Sequence, residues 1–166
     1  MTKKKKYIVT GGAGFIGSHL VDLLIENNHE VIVIDDLSTG SIGNVNKLAN
    51  FEKISLNNIQ KVSPLFKGCE GVFHFAALPR IQPSFDEPIL HNKVNISASL
   101  NIIKTMKDFA VKKIIFSSTS ACYGNPIEIP TSEKCPVHFM NPYALQKFTS
   151  EQYILILSKK LNIKAV

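Results

Sequence analysis

Short β-branched apolar runs alternate along the chain with longer stretches of helical spacing. Tyr7-Ile8-Val9 is the first run, and it passes through Thr10-Gly11-Gly12-Ala13-Gly14-Phe15-Ile16-Gly17 into Ser18-His19-Leu20-Val21-Asp22-Leu23-Leu24-Ile25-Glu26. The run reads as a buried strand and its continuation as an amphipathic helix. Val31-Ile32-Val33-Ile34 is apolar without interruption, as a parallel strand covered on both faces should be. Phe51 to Leu56 makes a poorer third strand, and Ile59 to Phe66 a helix closed by Lys67-Gly68. Gly71 to Ala77 is a fourth strand finishing in small residues, followed by a loop, Leu78 to Ser84. His91 to Ala110 reads as a long helix, Ile114 to Ser118 as a fifth strand, and Thr119 to Phe139 as a long loop rich in Ser, Gly and Pro. A last helix is expected from Pro142 to about Leu161. Such regular alternation predicts an α/β chain built on a parallel, doubly wound sheet with helices on both faces.

Two features near the end of the chain break this regularity. Tyr153-Ile154-Leu155-Ile156-Leu157 is apolar around the whole helix, so either further chain or a second subunit is expected to cover it. Asn162 to Val166 reads as the opening of a sixth strand, so the chain is expected to be a fragment.

Composition narrows the partners. With 166 residues, 45% of them hydrophobic, the chain can bury the core of one domain. It has no apolar run long enough for a bilayer and no signal-peptide stretch, so no membrane partner is expected. Lys3-Lys4-Lys5-Lys6 abuts the first strand and reads as a solvated leader rather than a nucleic-acid patch. The formal charge of +6 favours phosphorylated ligands without choosing one. Three cysteines, Cys69, Cys122 and Cys135, lack metal-ligand spacing; reduced thiols, a cytoplasmic location and no metal are expected.

The candidate chemistry starts at the glycine turn. Glycines at 11, 14 and 17 between strand and helix let a pyrophosphate approach the backbone and rest against the helix N-terminus. A ligand-free turn remains the alternative. Asp35 lies about twenty residues on, where a carboxylate accepts from adenosine ribose hydroxyls and repels a 2′-phosphate, which favours NAD over NADP. The same aspartate would also serve as a loop or helix-capping residue. His74 is expected to be a satisfied strand histidine rather than a catalyst. The basic loop Leu78-Pro79-Arg80-Ile81-Gln82-Pro83-Ser84 could approach a phosphate or lie idle on the surface. Tyr143 and Lys147 are one helical turn apart and share a face. A phenol with an ordinary pKa of about 10 becomes a usable base when an ammonium beside it favours the phenolate.

These motifs, taken in order, resemble the N-terminal half of an extended short-chain dehydrogenase/reductase of the NAD-dependent sugar-nucleotide epimerase/dehydratase family. The likeness rests on Thr10 to Gly17, Asp35-Asp36-Leu37, His74-Phe75-Ala76-Ala77, Asn95, Ser117-Ser118-Thr119 with Tyr123-Gly124, and Tyr143 to Lys147. It implies a Rossmann-type NAD-binding domain over 1–166, with the portion that binds most of the substrate lying beyond. Cofactor contacts are implied for Gly11, Gly14, Phe15, Ile16, Gly17, Asp35, Asp36, Ser38, Thr39, Gly40, Phe75, Ala76, Ala77, Asn95, Ser117, Tyr143 and Lys147. Tyr143 takes the place of the family's general acid/base, and Lys147 that of the residue that tunes it. Thr119 stands where a hydroxyl bonds the reacting sugar oxygen, and Asn95 where the helix asparagine lies near the active site.

Two departures sharpen the expectation. Ser55 stands where many relatives contact adenine with an acid. Ser120-Ala121 replaces the acidic pair of the 4,6-dehydratases, and Ala121 the glutamate of many decarboxylases. The resemblance therefore implies C4 epimerisation of a UDP-hexose through a transient 4-keto sugar, in a full-length protein that forms homodimers by pairing helices. A dehydrogenase, reductase or decarboxylase of the same fold, or a non-catalytic NAD-binding regulator, are the alternatives.

Overall fold

The structure, a computed structural model, describes residues 3–166. Six parallel strands form one sheet in the order β3-β2-β1-β4-β5-β6. They are β1 (Lys6–Thr10), β2 (Glu30–Asp35), β3 (Asn50–Lys53), β4 (Gly71–His74), β5 (Lys113–Phe116) and β6 (Lys164–Ala165). At the centre, Ile8 of β1 lies opposite Ile32 on one side and Val72 on the other. Chain progress reverses between β1 and β4, and an open α/β sheet leaves a crevice at the carboxyl ends of the strands there.

The helices are α1 (Phe15–Glu26), α2 (Ile59–Val62), α3 (Ile81–Asp86), α4 (Pro88–Asn92), α5 (Ala98–Asp108) and α6 (Pro142–Leu161). A 3₁₀ turn, Ser63–Phe66, extends α2, and a π-helical turn, Lys93–Ser97, joins α4 to α5. No helix among the described residues is long and apolar enough to cross a membrane.

Strand alternation sends neighbouring side chains to opposite faces. Ile8, Ile32, Ile34, Val72 and Ile114 meet Val62, Phe66, Ile102, Ile103, Met106 and Ile154 in one buried cluster. Val9, Val31 and Val33 meet Val21, Leu20 and Leu24 of α1 in a second. Both faces of β1 and β2 are thus covered, which is why their sequences read as unbroken apolar runs.

Several boundaries differ from the sequence reading. The third strand is Asn50–Lys53, half-buried and paired only with β2. The fourth and fifth strands stop at His74 and Phe116. Beyond them the backbone still donates from Phe75 to Thr10 and from Ser117 to His74. The expected loop Leu78 to Ser84 turns helical from Ile81; Pro83 fits because it lies in the first turn, where no intrahelical N–H is needed. The long helix begins at Pro88 rather than His91 and carries the π turn. Lys5 and Lys6 are no free leader: Lys6 opens β1 and donates to the Lys67 carbonyl, while Lys5 pairs with Glu70. Within this chain the apolar stretch of α6 is only partly covered, with Ile154 buried but Tyr153, Leu155 and Ile156 exposed.

His74 is a fully buried strand histidine, as the sequence suggests. Its Nδ1 shares a hydrogen bond with Thr10 Oγ1 at 2.7 Å and its Nε2 one with Ser99 Oγ at 2.9 Å. Burial above all, and then the charge of Lys147, push its pKa down to about 3. Since the unfolded chain takes up this proton near pH 6.5 and the native state does not, stability falls as pH drops from about 6.5 towards 3. The slope from this one group approaches 1.4 kcal/mol per pH unit. Urea unfolding between pH 6.5 and 4.5 should show a shallower slope for His74→Gln than for the parent; equal slopes would contradict this account.

Candidate active site

The cavity at the strand carboxyl ends is built by the segments that follow five strands and by α6. Its volume is about 400 Å³, within the range of small-molecule sites. Gly11, Gly14, Phe15, Ile16 and Gly17 line it after β1; Asp35, Asp36, Ser38, Thr39 and Gly40 after β2; and Ser55, Leu56 and Asn57 after β3. Phe75, Ala76, Ala77, Pro79 and Arg80 line it after β4, Ser117 and Ser118 after β5, and Tyr143 and Lys147 from α6.

Glycine is required at the first turn for two distinct reasons. Gly11 has φ +71°, and a Cβ there would lie 2.6 Å from the Ala76 backbone nitrogen. At Gly17 a Cβ would lie 2.8 Å from Gly12 Cα, so α1 can press on the turn only without a side chain. No side chain caps α1 and its first turn holds no acidic residue. Its leading N–H groups and the positive end of its dipole face the cavity uncompensated. Phe15 and Ile16 stand exposed on this rim, at 80% and 59%.

Asp35 serves the loop and faces the cavity at once. Its Oδ2 accepts from Ala13 N at 3.0 Å and its Oδ1 from Leu37 N at 2.8 Å. A carboxylate has about four acceptor positions, so both oxygens keep capacity for a ligand hydroxyl. Asp36 accepts from Ser38 N at 2.9 Å, which shapes the loop that carries Ser38, Thr39 and Gly40.

Across the cavity, α6 starts with Asn141 as its cap, whose Oδ1 accepts from Ala144 N at 2.8 Å. Pro142 fits the first position because its missing N–H would be unpaired there anyway. Tyr143 and Lys147 follow on the face turned to the cavity. Lys147 is 3% exposed and has no ion-pair partner among the described residues; its Nζ lies 4.1 Å from the centroid of the Phe116 ring. Burial lowers its pKa to about 8, opposed by Glu151. The ring supports the ammonium without neutralising it.

Thr119 and Asn95 do not line the cavity. The Thr119 hydroxyl accepts from Ala121 N at 3.2 Å and caps a 3₁₀ turn, Ser120–Tyr123. Asn95 is buried in the π turn; its amide accepts from Leu78 N at 2.8 Å and donates to Gln146 Oε1 at 3.1 Å. It ties the loop after β4 to α6, a structural task that departs from the direct contact implied by its motif position. Ser118, by contrast, lines the cavity with a buried hydroxyl that has no partner among the described residues. Arg80 and Ser118 line the cavity beyond the expected site residues; the basic loop after β4 points to Arg80, and the run Ser117-Ser118-Thr119 carries no sign that sets Ser118 apart from Ser117. No cluster of His, Cys, Asp and Glu among the described residues is arranged to hold a metal ion.

The chain and its fold are similar to those of known proteins. UDP-glucose 4-epimerase from Streptococcus mutans is 37% identical over 163 residues, covering 96% of this chain and 49% of the relative. The solved UDP-glucose 4-epimerase of Thermotoga maritima, in complex with UDP-glucose, superposes with a TM-score of 0.92 at 39% identity, over 96% of this chain and 53% of that one. That of Thermus thermophilus, in complex with NAD, gives 0.89 at 31% identity, over 96% and 53%. The chain spans about half the length of the curated relatives it matches. The family profile for the NAD dependent epimerase/dehydratase family covers residues 7–166, and on that match, with the fold and the glycine turn in agreement, the chain belongs to this family.

Proposed function

We propose that the chain forms the NAD-binding half of a nucleotide-sugar 4-epimerase acting on a UDP-hexose. The observation that carries this reading is the pair Tyr143 and Lys147 on the cavity wall that faces the uncapped N-terminus of α1. The residues present fit NAD. The open helix end suits its diphosphate, Asp35 suits the adenosine ribose, and the unpartnered Ser118 hydroxyl awaits a polar group. Ser55 takes the adenine side without an acid. NAD supplies, when bound, the hydride acceptor and donor.

The rest falls to side chains of this chain. Tyr143, as phenolate, removes the C4 hydroxyl proton from the sugar and returns it after the transient 4-keto sugar has turned over. Lys147 provides the positive charge that a phenolate needs; because burial has removed most water around it, that charge acts at close range with little screening. Thr119, whose hydroxyl caps the turn after β5, is the residue assigned to the reacting sugar oxygen, and Asn95 holds the loop carrying Ala76 and Ala77 against α6. Ala121, where an acid would be needed for water elimination, supports epimerisation over dehydration. The exposed Tyr153, Leu155 and Ile156 support a homodimer of the full-length protein through paired helices, and the free cysteines suit the cytoplasm.

The direct test is to incubate the full-length protein with UDP-glucose and with UDP-galactose and follow both sugars and the 340 nm absorbance of NADH. Interconversion without net NADH is expected. Accumulation of NADH in step with sugar consumed would replace the epimerase with a dehydrogenase.

A further inference from the structure

Ser84 is fully buried in α3, and no step of the reaction uses it. Its hydroxyl donates to the Ile81 carbonyl at 2.6 Å and accepts from the backbone N–H of Tyr143 at 3.1 Å, across 59 positions of sequence. We propose that Ser84 is a positioning residue for the acid/base tyrosine, fixing the Tyr143 main chain to the wall of the cavity that follows β4. The proposal rests on the acid/base assignment of Tyr143 made above.

The first N–H groups of a helix have no partner inside it. Pro142 has none to offer, and Ala144 is satisfied by Asn141 Oδ1. Tyr143 alone looks outside its own helix. Because the Ser84 hydrogen is committed to Ile81, its lone pairs are turned to Tyr143, so the interaction has one orientation. A second tie lies one turn on, where Gln146 Nε2 donates to the Pro88 carbonyl at 3.4 Å.

The two ties act on different residues. Lys147 lies a turn deeper, buried and held by the body of α6. Tyr143 sits in the first turn, the part of a helix that frays. Loss of the Ser84 oxygen therefore loosens Tyr143 against a fixed Lys147 and a fixed glycine turn. Misplacement of a reacting group by about 1 Å costs on the order of 100-fold in rate, while a substrate bound by other groups keeps its KM.

The experiment compares full-length Ser84→Ala, Ser84→Cys and Tyr143→Phe for kcat, KM and bound NAD. For Ser84→Ala we expect kcat to fall about 10-fold or more, with KM and bound NAD unchanged. Ser84→Cys keeps the shape but offers a weaker acceptor, so it should fall between; if the alanine variant does not fold, the cysteine variant decides. Wild-type kcat in the folded Ser84 variants, with only a lower melting temperature, would overturn the proposal. If Tyr143→Phe is inactive in that case, Ser84 alone has been misassigned. If Tyr143→Phe is active, the acid/base assignment has failed and the proposal with it.

Discussion

Replacing Tyr143 by Phe in the full-length protein is expected to reduce kcat for UDP-sugar interconversion by about 10²–10⁴-fold, the range for loss of a general acid/base. The change deletes one oxygen, and among the described residues that hydroxyl makes no hydrogen bond inside the chain, so little stability should be lost. KM and bound NAD should stay close to the parent values, because most of the residues proposed to hold the cofactor lie on α1 and on the turns after β1 and β2. Rates measured by coupled assay and melting temperatures measured alongside separate chemistry from folding. A variant that retains a tenth or more of the parent kcat would mean that the proton is handled elsewhere in the cavity.

The second large effect is structural. Gly11→Ala combines two penalties: a left-handed φ of +71°, and a Cβ 2.6 Å from Ala76 N and 2.9 Å from Ala76 Cα. An L-residue in the left-handed region costs about 1–2 kcal/mol, and overpacking against backbone that cannot yield typically adds 1–3 kcal/mol. A total on the order of 3 kcal/mol is expected. Relief by displacement would separate β1 from the turn after β4, where Thr10 Oγ1 accepts from Ala76 N at 3.3 Å. NAD affinity should therefore drop together with the melting temperature. Equilibrium unfolding and NAD titration of the 166-residue chain measure both; unchanged values would show that the turn is softer than its contacts indicate.

What could be read from the sequence divides along local and tertiary lines. α6 was legible from near Pro142 to about Leu161 because Pro142 suits the first helical position; in the structure Asn141 caps that end and Asn162, left-handed at φ 53°, closes the other. The strands of the sheet centre were legible because burial on both faces leaves an unbroken apolar run. β3 was less so, since an edge strand with half-buried residues carries little pattern. α3 was hidden by Pro83 and by its dependence on Ser84, whose partner is 59 residues away. The glycine turn, Asp35, Tyr143 and Lys147 were legible as a site because their chemistry needs particular residue types at fixed spacing. The lining role of Ser118 and the structural role of Asn95 depend on which way a buried group points, and sequence carries no sign of that.

The π turn at Lys93–Ser97 has a consequence for how this helix tolerates change. Such a turn accommodates one residue more than an α turn, and each residue of a helix advances it by about 100°. Within the turn, Asn95 is locked to Leu78 and Gln146, and its carbonyl accepts from the hydroxyls of Ser99 and Ser150, both at 2.7 Å. Downstream, Ile102, Ile103 and Met106 are buried against the sheet. The wide turn is the phase adjustment that lets one continuous helix satisfy both sets of partners. Deleting a single residue between Lys93 and Ser97 would not shorten a loop; it would swing one set out of register with the other.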